Sequence, residues 1–278
     1  RHWGEADSIT TMMEEARKDG ADVTYDVYPY TAAGTYLSQL IPQWAVEGGL
    51  SEMLERLRDQ NMRRSIMQEM EGGWFGGLPW EWDKIIIGYA GAEGDVETIG
   101  KSIAEIAESR QTNPIEVMLA LIEESSDTAH CVMFNRCEDD MKYFMSHPLA
   151  MIGSDGSAVA TYGELSKGKP HPRFYGTYPR VLGRYVREEK VMPLEEAIHK
   201  MTEFPAQRFS IIDRGRLVEG NFADLVIFNP ETVIDRATFD DPHQYPDGIA
   251  YVFVNGTIVV DNGTHTQERP GRVLRRMV

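Results

Sequence analysis

The sequence predicts an α/β protein with a small all-β unit behind it. Three observations carry that prediction: apolar residues recur at helical spacing in several stretches before residue 212, short strand-like runs stand between them, and the helical period is lost afterwards. Residues 1–212 are expected to form the α/β part and 213–278 the β part.

Taken in order, "DSITTMMEEARKD" (7–19) puts Ile9, Met12, Met13 and Ala16 on one helical face, with Asp7 at the start and Gly20 past the end. "ADVTYDVYPY" then alternates Val23, Tyr25 and Val27, the period of a strand. Residues 36–83 interrupt this grammar with charged helical stretches near 50–59 and 61–71 and the Gly/Trp-rich "GGWFGGLPWEW". They read as an insertion folded over something, a lid-like segment. "KIIIGYA" (84–90) and "AHCVMF" (129–134) read as strands. Helices near 96–108 and 114–125 lie between them, the second opened by Asn113 and Pro114. "RCEDDMKYFMSHP" (136–148) reads as a helix and 149–153 as a strand. Past residue 212, strands are expected near 224–229 and 249–260, the latter folded back at Asn255-Gly256, a strong short hairpin signal.

Charge and composition narrow the function. A 278-residue chain that is 42% hydrophobic can bury a large core. A net charge of −16 argues against nucleic acid or an anionic membrane as partner, because phosphates are held by an excess of Lys and Arg. Cys131 and Cys137 make no disulfide framework and no paired-Cys zinc motif. No apolar run approaches a membrane span, and the expected location is cytoplasmic. His2, His130, His147, His199, His243 and His265 show no metal-ligand spacing, and Trp74, Trp80 and Trp82 read as local packing or as lid lining.

"MIGSDGSAVA" (151–160) carries the sharpest chemical question. An apolar strand ends at Gly153 and runs into Asp155 inside a small-residue turn. Ser-Asp-Gly suits a plain turn. A carboxylate at the C-terminal end of a barrel strand is also where such enzymes keep their chemistry. On the stretch alone both readings stand.

"YPYTAAGT" (28–35), "MIGSDG" (151–156), "HPRFYGTYPRVLG" (171–183), "EGNFADLVIFNP" (219–230) and "YVFVNGTIVVDNG" (251–263), in this order and spacing, resemble the N-acyl-D-amino-acid deacylases. These belong to the amidohydrolase superfamily of metal-dependent TIM-barrel hydrolases. The resemblance implies the C-terminal part of such a barrel, a lid-like insertion near 36–83 and a portion of a C-terminal β-sandwich. It implies a zinc enzyme that hydrolyses N-acyl-D-amino acids to a D-amino acid and a carboxylic acid. Asp155 matches the acid that moves the proton and is a possible metal ligand. Arg173 matches the arginine that holds the substrate carboxylate, and Tyr28 a tyrosine on the same group. His171 is a further substrate-binding candidate. Where relatives often read "AGS", this chain reads "AAG", so Gly34 replaces a serine and Thr35 is the candidate hydroxyl.

The family's metal ligands (an early His-x-His pair, a bridging residue and two later histidines) match nothing here, because the chain opens "RHWGEAD" where the last of them has passed. The remaining ligands are therefore expected upstream of Arg1. The expectation is a segment of a longer polypeptide, or one that self-associates or finds its missing N-terminal half in another chain. Taken alone it is expected to hold no catalytic zinc and to be inactive. A non-catalytic partner subunit, or another amidohydrolase such as a cyclic amidase, is the alternative; "HPRFYGTYPRVLG" speaks against the cyclic amidase.

Overall fold

A computed structural model of the chain describes residues 2–75, 77–92 and 94–275. Helix α1 (Ala6–Lys18) leads into the short strand β1 (Tyr25–Val27) and then β2 (Ala33–Tyr36). Three helices follow, α2 (Gln43–Val46), α3 (Leu50–Arg58) and α4 (Gln60–Met70), and then β3 (Ile85–Tyr89), α5 (Ile103–Arg110), α6 (Pro114–Glu124) and β4 (His130–Met133). Next come α7 (Glu138–Ser146), β5 (Ala150–Ile152), α8 (Arg173–Arg180), α9 (Leu194–Met201) and α10 (Glu203–Arg208). A π-helical stretch, Val181–Glu188, continues α8. The strands β6 (Leu225–Phe228), β7 (Ile249–Val254), β8 (Thr257–Asp261) and β9 (Thr264–His265) close the chain.

Local chemistry sets these boundaries. Asp59 caps α4 by accepting from the backbone N–H groups of Asn61 and Met62. Asn113 caps α6 with Pro114 in its first turn, as the sequence predicts. The helix expected over 96–108 begins only at Ile103. There Ser102 and Glu105 form a reciprocal capping box, and Val96–Thr98 makes a separate 3-10 turn.

Strand pairing departs from simple alternation. β1 and β5 are a parallel pair, with Tyr25 opposite Ala150 and Val27 opposite Ile152. β3 and β4, expected as further strands of an α/β alternation, instead join β2 in an antiparallel sheet of order β2-β4-β3. The reason is packing. Ile85, Ile87, Cys131 and Met133 face a core shared with Leu57, Ile66, Ile106 and Met118 from the helices. The residues read as an insertion near 36–83 therefore share one core with the chain up to Met133. Alternate residues of the same strands (Gly34, Tyr36, His130 and Val132) line the opposite face.

A second core joins Met141 and Met145 of α7, Ile152 of β5, Val181, Leu182 and Tyr185 after α8, and Val233. The last four strands form one antiparallel sheet, β6-β7-β8-β9. Its hairpin turns where the sequence predicts: Asn255 and Gly256 both have positive φ, 49° and 79°, as a tight two-residue turn requires.

Candidate active site

The site grows from the parallel pair. β1 and β5 end at the same level, where the Gly153 N–H donates to the Val27 carbonyl at 3.2 Å. Tyr28 leaves one strand end and the Gly153–Asp155 turn leaves the other. Parallel strands gather ligand-binding groups at their carboxyl ends because successive loops emerge there together. Asp155 itself has φ of 46°, in the left-handed region that few non-glycine residues adopt.

Asp155 and Arg173, 18 residues apart, meet directly. The Asp155 carboxylate lies 2.9 Å from Arg173 Nη2, and Arg173 Nε donates to the Asp155 carbonyl at 2.8 Å. Asp155 is 68% exposed at its side chain while Arg173 is 6% exposed. Arg173 Nη2 also donates to the Gly34 carbonyl at 3.3 Å, and Nη1 is buried with no hydrogen-bond partner. A buried guanidinium nitrogen without an acceptor is costly, so a group left in this state points to a missing anionic partner.

His171 holds this arginine in place. Its Nδ1 accepts from the Arg173 backbone N–H at 3.0 Å, so Nε2 carries the proton and donates to the Ala32 carbonyl at 3.0 Å. Burial, and then the Arg173 charge, push its pKa down to about 3, so the ring is neutral. Both nitrogens are engaged by backbone, which leaves none for the substrate contact expected of His171. Tyr28 packs edge-on to His171 at 5.9 Å, and Arg173 lies 4.9 Å over its ring.

Asp155, His171 and Arg173 border an open cleft of about 650 Å³. One wall is the exposed face of the β2-β4-β3 sheet; the other is the loop from Asp155 to Phe174. Thr35 borders the cleft along β2, but its register partner Cys131 faces the core, so strand alternation turns the Thr35 side chain away from the cleft and against the hydroxyl role expected of it. Tyr36, His130 and Tyr89 are register neighbours on three adjacent strands and form an aromatic row, with Tyr36 and His130 4.1 Å apart. Burial holds the His130 pKa below the ordinary value, opposed by nearby Asp127. The loop is pinned to the sheet edge where the Lys169 N–H donates to the Gly88 carbonyl at 2.5 Å. A side chain at Gly88 would collide with the Lys169 carbonyl.

Sequence reasoning missed this wall, because register between strands far apart in the chain is invisible in a single sequence.

Among the described residues, no three His, Cys, Asp or Glu side chains gather where a metal ion could be held. Asp155 has an arginine beside it and no second ligand set, so the residues present do not make a metal centre. No helix among them is long and apolar enough to cross a membrane.

Residues 96–260 match the Amidohydrolase family. The chain belongs to that family. This amidohydrolase chain is 33% identical over 275 residues to an N-acyl-D-glutamate deacylase of Alcaligenes xylosoxydans xylosoxydans, covering 99% of the chain and 46% of that relative. It is 40% identical over 267 residues to a D-aminoacylase of the same organism, covering 96% of the chain and 45% of the relative. A crystal structure of D-aminoacylase superposes with a TM-score of 0.73 at 32% identity, over 99% of this chain and 47% of that one. The N-acyl-D-glutamate deacylase of Bordetella bronchiseptica, solved with zinc and a phosphonate inhibitor, superposes at 0.72 and 32% identity over 98% and 47%. The chain thus spans about half the length of the relatives it matches.

Proposed function

We propose that the polypeptide carrying this chain hydrolyses the amide bond of N-acyl-D-amino acids, releasing a D-amino acid and a carboxylic acid. The carrying observation is Arg173, buried at the cleft edge with Nη1 lacking an acceptor beside the side-chain-free Gly34. That is a seat for an anion, and the free carboxylate of an N-acyl amino acid supplies one. Arginine suits the role because its planar fork matches a carboxylate.

In this reading Asp155 is the proton carrier. It is solvent-accessible, adjacent to the clamp, and fixed by its own backbone carbonyl to the same guanidinium. It accepts the proton of the attacking water and delivers it to the leaving nitrogen, so the amide splits with no net change in protons. The Tyr28 ring supports the clamp from beneath the Arg173 guanidinium. His171 positions Arg173 through the backbone. The zinc seen in the Bordetella relative would be held by groups outside this chain, since the residues here do not fit it. We read β1 and β5 as two strands of a (β/α) barrel completed from outside this chain, and the final sheet as one layer of a β-sandwich.

The test uses substrates with and without the free carboxylate. Asp155→Asn should lower kcat by on the order of a hundredfold while KM changes little. Arg173→Lys should raise KM for the N-acyl-D-amino acid and matter far less for the matching amide that lacks the carboxylate. Equal losses on both substrates would show Arg173 to be structural and sink the clamp.

A further inference from the structure

The Gly168–Lys169 peptide is gripped from both sides. Its N–H, that of Lys169, donates to the Gly88 carbonyl at the edge of β3 at 2.5 Å. Its carbonyl, that of Gly168, accepts from His243 Nε2 at 3.0 Å. A trans peptide points these two groups in opposite directions, so β3 and His243 stand on opposite sides of the loop that walls the cleft. The close approach depends on two missing side chains. Gly168 has φ of 76°, and a Cβ on it would stand 2.6 Å from the Gly88 carbonyl, just as one on Gly88 would strike Lys169.

His243 lies 75 residues beyond Gly168, in the segment between β6 and β7. Tyr175 of α8 orients its ring. The hydroxyl meets Nδ1 at 2.9 Å, and the two rings pack edge-on at 5.7 Å. Burial pushes the Tyr175 pKa up to about 12, so the phenol keeps its proton and donates. Nδ1 is then the acceptor, and Nε2 carries the hydrogen offered to Gly168. The segment around His243 is tied down as well: the Gln244 N–H donates to the Pro242 carbonyl and the Asp241 N–H to the Thr238 hydroxyl, both at 2.9 Å. Ties within the loop itself are local, Ser166 to the Gly163 carbonyl at 2.8 Å and Lys167 to Glu164 at 2.5 Å. They cannot set where the wall stands relative to the sheet.

We infer that His243 is a positioning residue for the cleft: by holding the Gly168 carbonyl from outside, it keeps the Asp155–Phe174 loop against β3 and fixes the wall that a substrate meets. Lys167, Lys169 and Pro170, on either side of the gripped carbonyl, line that wall. A hydrogen bond accepted by a carbonyl polarises the N–H of the same peptide, so the two grips strengthen each other. Asp155 is held separately at the other end of the loop, through its carbonyl to Arg173. Loss of His243 therefore loosens the wall and leaves the proton carrier in place, an effect on KM rather than on kcat. That kinetic consequence rests on the deacylase reading above; the grip on the loop does not.

Hydrogen exchange and kinetics on the polypeptide carrying this chain test the two parts. His243→Ala should speed exchange of the Lys169 amide about fivefold, the effect of one net hydrogen bond, with α6 unchanged. His243→Gln keeps an N–H for the Gly168 carbonyl and should restore most of the protection. An unchanged Lys169 amide, a rise spread evenly over the fold, or no rescue by glutamine overturns the assignment. His243→Ala should also raise KM for an N-acetyl-D-amino acid severalfold at an unchanged kcat, and His243→Gln should bring it back. A fall in kcat at constant KM overturns the positioning role. Absence of deacylase activity in the unaltered polypeptide refutes the proposed reaction instead, and the exchange measurement then decides the grip by itself.

Discussion

His171 shows how a residue can belong to a site without touching its ligand. Its ring ties the Arg173 backbone to Ala32, and so ties α8 to the chain between β1 and β2. Burial in that position forbids protonation: the pKa falls from the ordinary 6.5 to about 3. The sign of the pH effect follows. Between about pH 6.5 and pH 3 the unfolded chain takes a proton that the folded chain refuses, so stability falls as pH falls, by up to about 1.4 kcal/mol per pH unit. His171→Gln keeps a donor for Ala32 and should flatten this dependence, at the expense of some stability at pH 7. Urea midpoints measured from pH 7 to pH 4 check it, and parallel curves for the two proteins would refute it. The sequence showed His171, Arg173, Tyr28 and Asp155 as candidates through the motifs around them. The division of labour was not legible, because it depends on which nitrogen faces which carbonyl.

At the scale of elements, the two glycines of "HPRFYGTYPRVLG" explain why a helix carries residues that weaken helices. A Cβ at Gly176 would stand 2.5 Å from the Tyr30 hydroxyl, and one at Gly183 would stand 2.5 Å from the Val233 carbonyl. Seven residues apart, they share a face and let the helical segment lie flush on the chain leading to β7. Arg180 finishes the seam by pairing with the buried Asp235 at 3.0 Å and donating to the Pro29 carbonyl at 2.9 Å. Gly183→Ala should therefore cost about 1–3 kcal/mol, since the clash is with backbone. Thermal unfolding reads it as a lowered Tm; an unchanged Tm would show that the seam yields. Most strands and helices were legible here, as was the Asn255-Gly256 hairpin, because period and turn chemistry are local. The antiparallel pairing of β3 with β4 was not legible, since an apolar run of five residues reads the same in either kind of sheet.

For the whole molecule, the decisive feature is that the cleft lies between the exposed face of the β2-β4-β3 sheet and the loop from Asp155 to Phe174. One wall carries the arginine and the acid, the other the aromatic row, and among the described residues neither brings three metal-ligating side chains together. The purified chain should accordingly hold no stoichiometric zinc at this cleft. Elemental analysis that finds one zinc per chain, lost on Asp155→Ala, would contradict this.

The parallel pair of β1 and β5 also has a bearing on the order in which the chain assembles. Its partners are separated by everything from Tyr28 to Leu149, so their meeting closes a very long loop. The core drawn from residues 37–133 and its antiparallel strands sit inside that loop and condense through much shorter separations. Once they have done so, the ends stand closer together and the remaining closure is easier. The pocket that depends on both strand ends is then among the last parts of the molecule to exist, and its geometry is inherited from a body that folds before it.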